Sequence, residues 1–97
     1  MTFTKKENGN SLEIAVEGRL DTMTAPQLEE ALYRGLPGVT DLTFDFTELK
    51  YISSAGLWLL LSVYKSLIGK GNMRVINVND AVREVFEITG FGYMLGA

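Results

Sequence analysis

Along this chain the spacing of apolar residues shifts repeatedly between two and about 3.6, and that alternation limits the fold more than any other feature. Residues 11–18 put Leu12, Ile14 and Val16 on one side and Glu13, Ala15 and Glu17 on the other, the pattern of a half-buried strand. Residues 2–6 form a shorter strand, and Glu7-Asn8-Gly9-Asn10 carries Asn-Gly hairpin chemistry, so the two strands pair antiparallel. Residues 19–22 leave the second strand as a loop. Thr24 then stands three residues before Gln27, which fits a capping box, with Pro26 tolerated in the first turn. That helix runs to about residue 34 with Leu28, Ala31 and Leu32 on one face, and Gly35-Leu36-Pro37-Gly38 stops it.

The alternation then repeats. Residues 41–46 form a third strand with Leu42, Phe44 and Phe46 on one side, and residues 47–50 read as a turn. A second helix starts at Ser53 or Ser54 and runs to about residue 68, with Leu57, Leu60, Leu61, Tyr64 and Ile68 as its core stripe. Gly69-Lys70-Gly71-Asn72 ends it, and residues 73–78 give a fourth strand. Asp80 is expected to cap a third helix with Val82, Val85 and Phe86 inward, stopped at Gly90. Short linkers make the later strands parallel, joined by right-handed crossovers. Such an α/β sheet gathers the loops after its strands on one edge, where ligand sites lie. Residues 19–24 and 49–56 fall on that edge.

Composition removes whole classes of function. The chain has 97 residues, enough for one domain over residues 1–97 with one modest core. Nine basic against twelve acidic residues leave a net charge of −3, with no clustered Lys and Arg for nucleic acid. There is no cysteine and no histidine, so thiolate nucleophiles, the usual general base and the commonest metal ligands are missing. Residues 1–6 do not read as a signal peptide, and the longest apolar run, residues 57–61, is far short of a membrane span. A soluble cytoplasmic protein without membrane contact is expected.

The chemistry concentrates in Tyr51-Ile52-Ser53-Ser54-Ala55-Gly56-Leu57, between a strand and a long apolar helix. A serine there has four possible roles: helix cap, nucleophile, phosphate cradle or phosphoacceptor. Catalysis is set aside, because there is no histidine and Ile52 stands where Gly-x-Ser-x-Gly needs its first glycine. The P-loop pattern is absent, and Gly69-Lys70-Gly71 lies at a helix end rather than a start. Capping and phosphoacceptance both remain open. A phosphoserine in a first turn adds about −1.5 to −2 charges where the helix dipole and free N–H groups favour an anion.

Gly18-Arg19-Leu20-Asp21-Thr22, then Phe44-Asp45-Phe46, then residues 51–57 resemble, in order, the three signature stretches of STAS domains, the family of bacterial anti-sigma factor antagonists. The resemblance covers nearly the whole chain. It implies a mixed four- to five-stranded sheet, an N-terminal hairpin followed by parallel strands, with helices packed mainly on one face. It also implies a binding module rather than an enzyme. The unphosphorylated antagonist holds an anti-sigma factor that is also a serine kinase, the kinase phosphorylates it and lets go, and a serine phosphatase resets it. Matched on Gly56, the acceptor is Ser54, with Ser53 the alternative, and Asp21 matches an acidic position beside it. Ser53 stands where the family often has Asp, and Trp58 where it usually has a small residue.

The expected partner surface is Asp21, Thr22, Ser53, Ser54, Ala55, Gly56, Trp58 and Leu59. By helical angle Leu59 lies opposite the core stripe and Trp58 on its flank, so both are candidates for an exposed docking patch or for cover by a second layer. Asp21 and Asp45 show no ligand-spacing signal, and no cofactor or metal is implied. Phe86, Phe91 and Tyr93 read as core. A monomer or weak dimer is expected. The other readings are a non-switching scaffold subunit of a signalling or transport assembly and a small-nucleotide sensor on the sheet-edge loops.

Overall fold

The computed structural model describes residues 1–96. Two strands open the chain, β1 (Thr2–Asn8) and β2 (Ser11–Leu20), paired antiparallel from Thr2 opposite Glu17 to Asn8 opposite Ser11. Then follow α1 (Ala25–Gly35), β3 (Asp41–Asp45), β4 (Leu49–Ile52), α2 (Ser54–Leu67), β5 (Asn72–Ile76) and α3 (Asp80–Ile88). A single 3-10 turn covers Gly92–Met94. The sheet order is β1-β2-β3-β5, with β2–β3 and β3–β5 parallel, and β4 pairs in parallel with the far end of β2.

One face of this sheet is closed and the other open. Leu12, Ile14, Val16, Leu42, Phe44, Met73 and Val75 are buried, while the residues between them on β2, β3 and β5 stay at least partly exposed. The period of two read from the sequence therefore states directly which side the helices cover. Across the open face, Lys6 stands opposite Glu13, and Arg74 donates from Nε to Thr43 Oγ1 at 3.2 Å and lies 3.7 Å from Asp41.

β4 departs from the turn expected at residues 47–50. The turn is confined to Thr47 and Glu48, and Leu49 already pairs with Gly18. The register then slips: Arg19 faces Tyr51, so Lys50 is an extra residue on β4. Leu49 and Ile52 both end up buried although they are three residues apart. A bulge of this kind breaks the two-residue period, which is why the strand left no pattern to read. Gly18 takes φ +89° at the slip, a backbone region open to glycine.

Two caps also differ. Asn79, not Asp80, caps α3: its Oδ1 accepts from the Val82 N–H at 2.8 Å, and its Nδ2 donates to the Leu49 carbonyl at 3.0 Å, tying the helix start to β4. Its neighbour Asn77, at φ +62°, ends β5 before the expected residue 78.

α2 is buried on more than one face. Leu57, Leu60 and Leu61 are buried as the expected stripe requires, but Gly56, Leu59, Val63 and Leu67 are buried too. Leu59, Val63 and Leu67 recur every four residues and line a groove against Leu32 and Leu36 at the α1 side. Leu59 is therefore only 7% exposed, whereas Trp58 is 61% exposed. The docking role given to Leu59 is corrected accordingly: α1 is the second layer that covers it. Ile68 is exposed rather than core, because its ψ of 127° takes the chain out of the helix.

Adjacent substitutions on α2 should separate these roles. Leu59→Ala is expected to lose about 2–5 kcal/mol in urea unfolding through its transfer and cavity terms, while Trp58→Ala changes stability by less than about 1 kcal/mol. Equal losses would mean that α1 does not cover Leu59.

Candidate functional site

The site forms where β2 and β4 end side by side and each passes into a helix. The Ser53 N–H donates to the Leu20 carbonyl at 2.9 Å, and the Leu57 N–H donates to the Ser53 carbonyl at 3.0 Å. Ser53 is thus the last extended residue, with ψ 175°, and Ser54 is the first of α2. The N–H groups of Ser54, Ala55 and Gly56 precede the first intrahelical bond and remain open to an acceptor.

The two serines are not equivalent. Ser54 is exposed, whereas the Ser53 Oγ is buried and has no hydrogen-bond partner among the described residues. Ser53 occupies the N-cap position by its backbone alone, because its side chain accepts nothing from the helix. Extended backbone sends successive side chains to opposite sides. That alternation does not extend to Ser53: Tyr51 is exposed and Ile52 buried, but the Ser53 Oγ is buried too, and the helix begins at Ser54.

Gly56 is held by close approach rather than by torsion. A Cβ there would lie 2.9 Å from Leu20 Cγ, 2.9 Å from Ile52 Cγ1 and 3.0 Å from the Leu20 carbonyl oxygen. The first turn of α2 therefore rests directly on the ends of β2 and β4, which presents Ser54 at the rim.

The loop after β2 is locked by its own polar groups. Asp21 Oδ1 accepts from the Met23 N–H at 3.0 Å and the Thr24 N–H at 3.1 Å, and the Ala25 N–H donates to the Asp21 carbonyl at 2.8 Å. Thr24 Oγ1 accepts from the Asp21 N–H at 2.9 Å and donates to the Arg19 carbonyl at 2.8 Å. The capping box expected at Thr24 does not form. Thr24 is already in helical conformation, and Asp21 does the capping three residues earlier.

Loss of water around Asp21 raises its pKa, but the Thr24 and Met23 N–H groups, the Thr24 hydroxyl and Arg19 outweigh this and hold the carboxyl below its usual 3.8. Arg19 Nε lies 3.6 Å from Asp21 Oδ2, and its guanidinium carbon stands 4.1 Å above the Tyr51 ring. Arg19 thereby links β2, β4 and the loop. Sequence reasoning missed it, because only the register slip brings Arg19 opposite Tyr51.

Asp45 works elsewhere. Its Oδ1 accepts from the Thr47 hydroxyl at 2.6 Å, the Thr47 N–H at 3.0 Å and Asn77 Nδ2 at 3.2 Å, closing the turn into β4. The Thr47 hydroxyl is the main cause of its lowered pKa, against a smaller upward push from burial. Each aspartate thus holds its own loop.

Thr22 and Trp58 are exposed beside Ser54, and Ala55 is half-buried between them. Trp58 meets Phe91 edge-on with centroids 6.4 Å apart, and Tyr93 continues the contact to Tyr64 at 5.4 Å. Of the three aromatics read as core, Phe86 is buried, Phe91 is half-buried and Tyr93 is exposed. No helix among the described residues is long and apolar enough to cross a membrane.

A mixed sheet with its helices on one side, and a serine at the start of the helix that follows an inserted strand, define a family. The STAS domain model matches residues 2–95, and the chain belongs to that family. The chain is 35% identical over 89 residues to the anti-sigma-B factor antagonist of Listeria monocytogenes, covering 89% of this chain and 77% of that protein. The anti-sigma factor antagonist SpoIIAA in its unphosphorylated form superposes with a TM-score of 0.82 at 25% identity, over 98% of this chain and 86% of that one. SpoIIAA from Bacillus in the phosphorylated form superposes at 0.78 with 22% identity, over 98% and 89%.

Two measurements probe this geometry. Gly56→Ala should cost about 1–3 kcal/mol in urea unfolding, because overpacking meets backbone as well as side chains. Unchanged stability would deny the close approach. The second concerns acid. Asp21 has a folded pKa below its unfolded one, so its stabilisation is complete above about 3.8 and is lost as pH falls through the folded value. The difference in Tm between wild type and Asp21→Asn should therefore shrink steadily below about pH 4. A difference that stays constant down to about pH 2 would contradict the loop-held carboxylate.

Proposed function

We propose that this chain is an anti-sigma factor antagonist that binds an anti-sigma factor kinase when unphosphorylated and releases it when Ser54 carries a phosphate. The observation that supports this most directly is the exposed hydroxyl of Ser54 on a helix start whose free N–H groups favour an anion. The buried Oγ of Ser53 makes it the poorer acceptor. The antagonist named in Listeria is a relative across most of this chain, and SpoIIAA keeps the same fold in both its unphosphorylated and phosphorylated forms.

In this reading the kinase transfers the γ-phosphoryl group of ATP to Ser54 Oγ, the hydroxyl proton leaves, and ADP is released. The new charge stands on the rim formed by Thr22, Ala55 and Trp58, where Thr22 follows Asp21 in the chain. It alters the docking surface by charge and bulk without requiring any element to unfold. The locked Asp21 loop and the Gly56 contact keep that rim rigid before and after transfer. A serine phosphatase then restores the hydroxyl. The setting of this reading is the bacterial cytoplasm.

Incubation of the purified chain with the anti-sigma factor kinase of the same genome and Mg-ATP should add one phosphate by intact mass. Ser54→Ala should abolish it and Ser53→Ala should retain it. Because Ser53 loses no hydrogen bond, Ser53→Ala should also stay within about 1 kcal/mol of wild type in stability. A phosphate that persists in Ser54→Ala sinks the assignment.

A further inference from the structure

Beside the switch serine, α1 and α2 part to leave a notch of about 360 Å³. Its walls include Thr22, Ala25, Pro26, Glu29, Ala55 and Trp58. Thr22 follows Asp21 and Ala55 follows Ser54, so the notch opens onto the same rim as the switch. The lining is apolar or neutral except for one carboxylate, Glu29.

Glu29 enters no ion pair or side-chain hydrogen bond among the described residues, although its neighbour Glu30 is bonded to Arg34 at 2.9 Å. The notch thus pairs a carboxylate that has no ion-pair partner among the described residues with an exposed indole. Those two groups share a preference. An aromatic face attracts a cation through its quadrupole, and a carboxylate attracts it through charge and hydrogen bonds. The remaining walls are Thr22, Ala25, Pro26, Ala55, Leu59 and Ser62, uncharged and mostly apolar, which suits the methylene stem of a long basic side chain. An acidic group would be repelled by Glu29, and a purely apolar one would strip water from its carboxylate without replacing it.

We propose that this notch receives a lysine or arginine side chain of the kinase partner, its stem along Ala25, Pro26 and Ala55 and its charged head between Trp58 and Glu29. The inference rests on the reading of the chain as a kinase-bound switch. It adds the chemical character of the partner's anchor: a basic side chain entering beside Ser54. It also gives Trp58 a role beyond bulk, as the aromatic wall of a cation site.

Calorimetric titration of the purified chain with the anti-sigma factor kinase of the same genome tests both levels separately. Glu29 is exposed, so its variants should fold, which circular dichroism and thermal melts check. Glu29→Gln is expected to weaken binding roughly tenfold, and Glu29→Lys by more. The effect of Glu29→Gln should diminish as salt rises from about 0.05 M to about 0.5 M. Trp58→Ala should also weaken binding, with Trp58→Phe intermediate. If Trp58→Ala weakens binding while Glu29→Gln stays within about twofold of wild type, the notch holds an apolar side chain and the cation site is overturned. If neither variant differs from wild type, the notch is not part of the interface. A wild-type chain that fails to bind the kinase at all overturns the parent reading and the notch together.

Discussion

The approach of α2 to the ends of β2 and β4 governs the rest of the site. A helix start can lie this close to two strand ends only where one residue has no side chain. At Gly56 a Cβ would meet both side chains and backbone within 3.0 Å. Because the turn is seated there, the chain must pass from extended to helical between Ser53 and Ser54. That single transition puts one hydroxyl inside and the next one outside. The exposure of Ser54 is therefore a packing result, reached through a residue two positions away.

The second constraint is that β2 serves two neighbours in succession. Its first half pairs with β3 and its last three residues pair with β4. The slip between Gly18 and Arg19 permits the change and sets Arg19 against Tyr51. The same guanidinium lies within 3.6 Å of Asp21. Sheet register and loop conformation are coupled at this point, so the rim around Ser54 is framed by short-range electrostatics as well as by apolar packing. Among the described residues no charged side chain is buried to achieve this. The core is apolar, and Asp21 and Asp45 are satisfied at loops by N–H and hydroxyl groups.

Legibility followed the regularity of each element. The hairpin, β2, β3 and the helices were readable because one face of each meets the core and repeats at a fixed period. β4 was not, since Lys50 breaks the alternation and leaves Leu49 and Ile52 inward at a spacing of three. The caps were half readable: the residue types were right, but Asp21 and Asn79 took the roles assigned to Thr24 and Asp80. Side-chain reach in a turn depends on backbone angles that composition does not specify. Leu59 and Trp58 show the same limit on a helix. Adjacent positions on the outer side of α2 differ in burial only because α1 crosses one of them.

By itself the sequence determined the α/β alternation, the position of the serine junction, the exclusion of histidine- and cysteine-based chemistry, and the resemblance of three ordered stretches to STAS domains. Those properties are local, carried by residue type and spacing within a few turns of chain. Only the tertiary structure decided which serine faces solvent, that Arg19 and Tyr51 meet, that Leu59 is covered, and that Glu29 and Trp58 share a notch. Each of these depends on contacts between segments distant in sequence. Their distances are set by how the helices and strands pack, and no pattern along the chain encodes them.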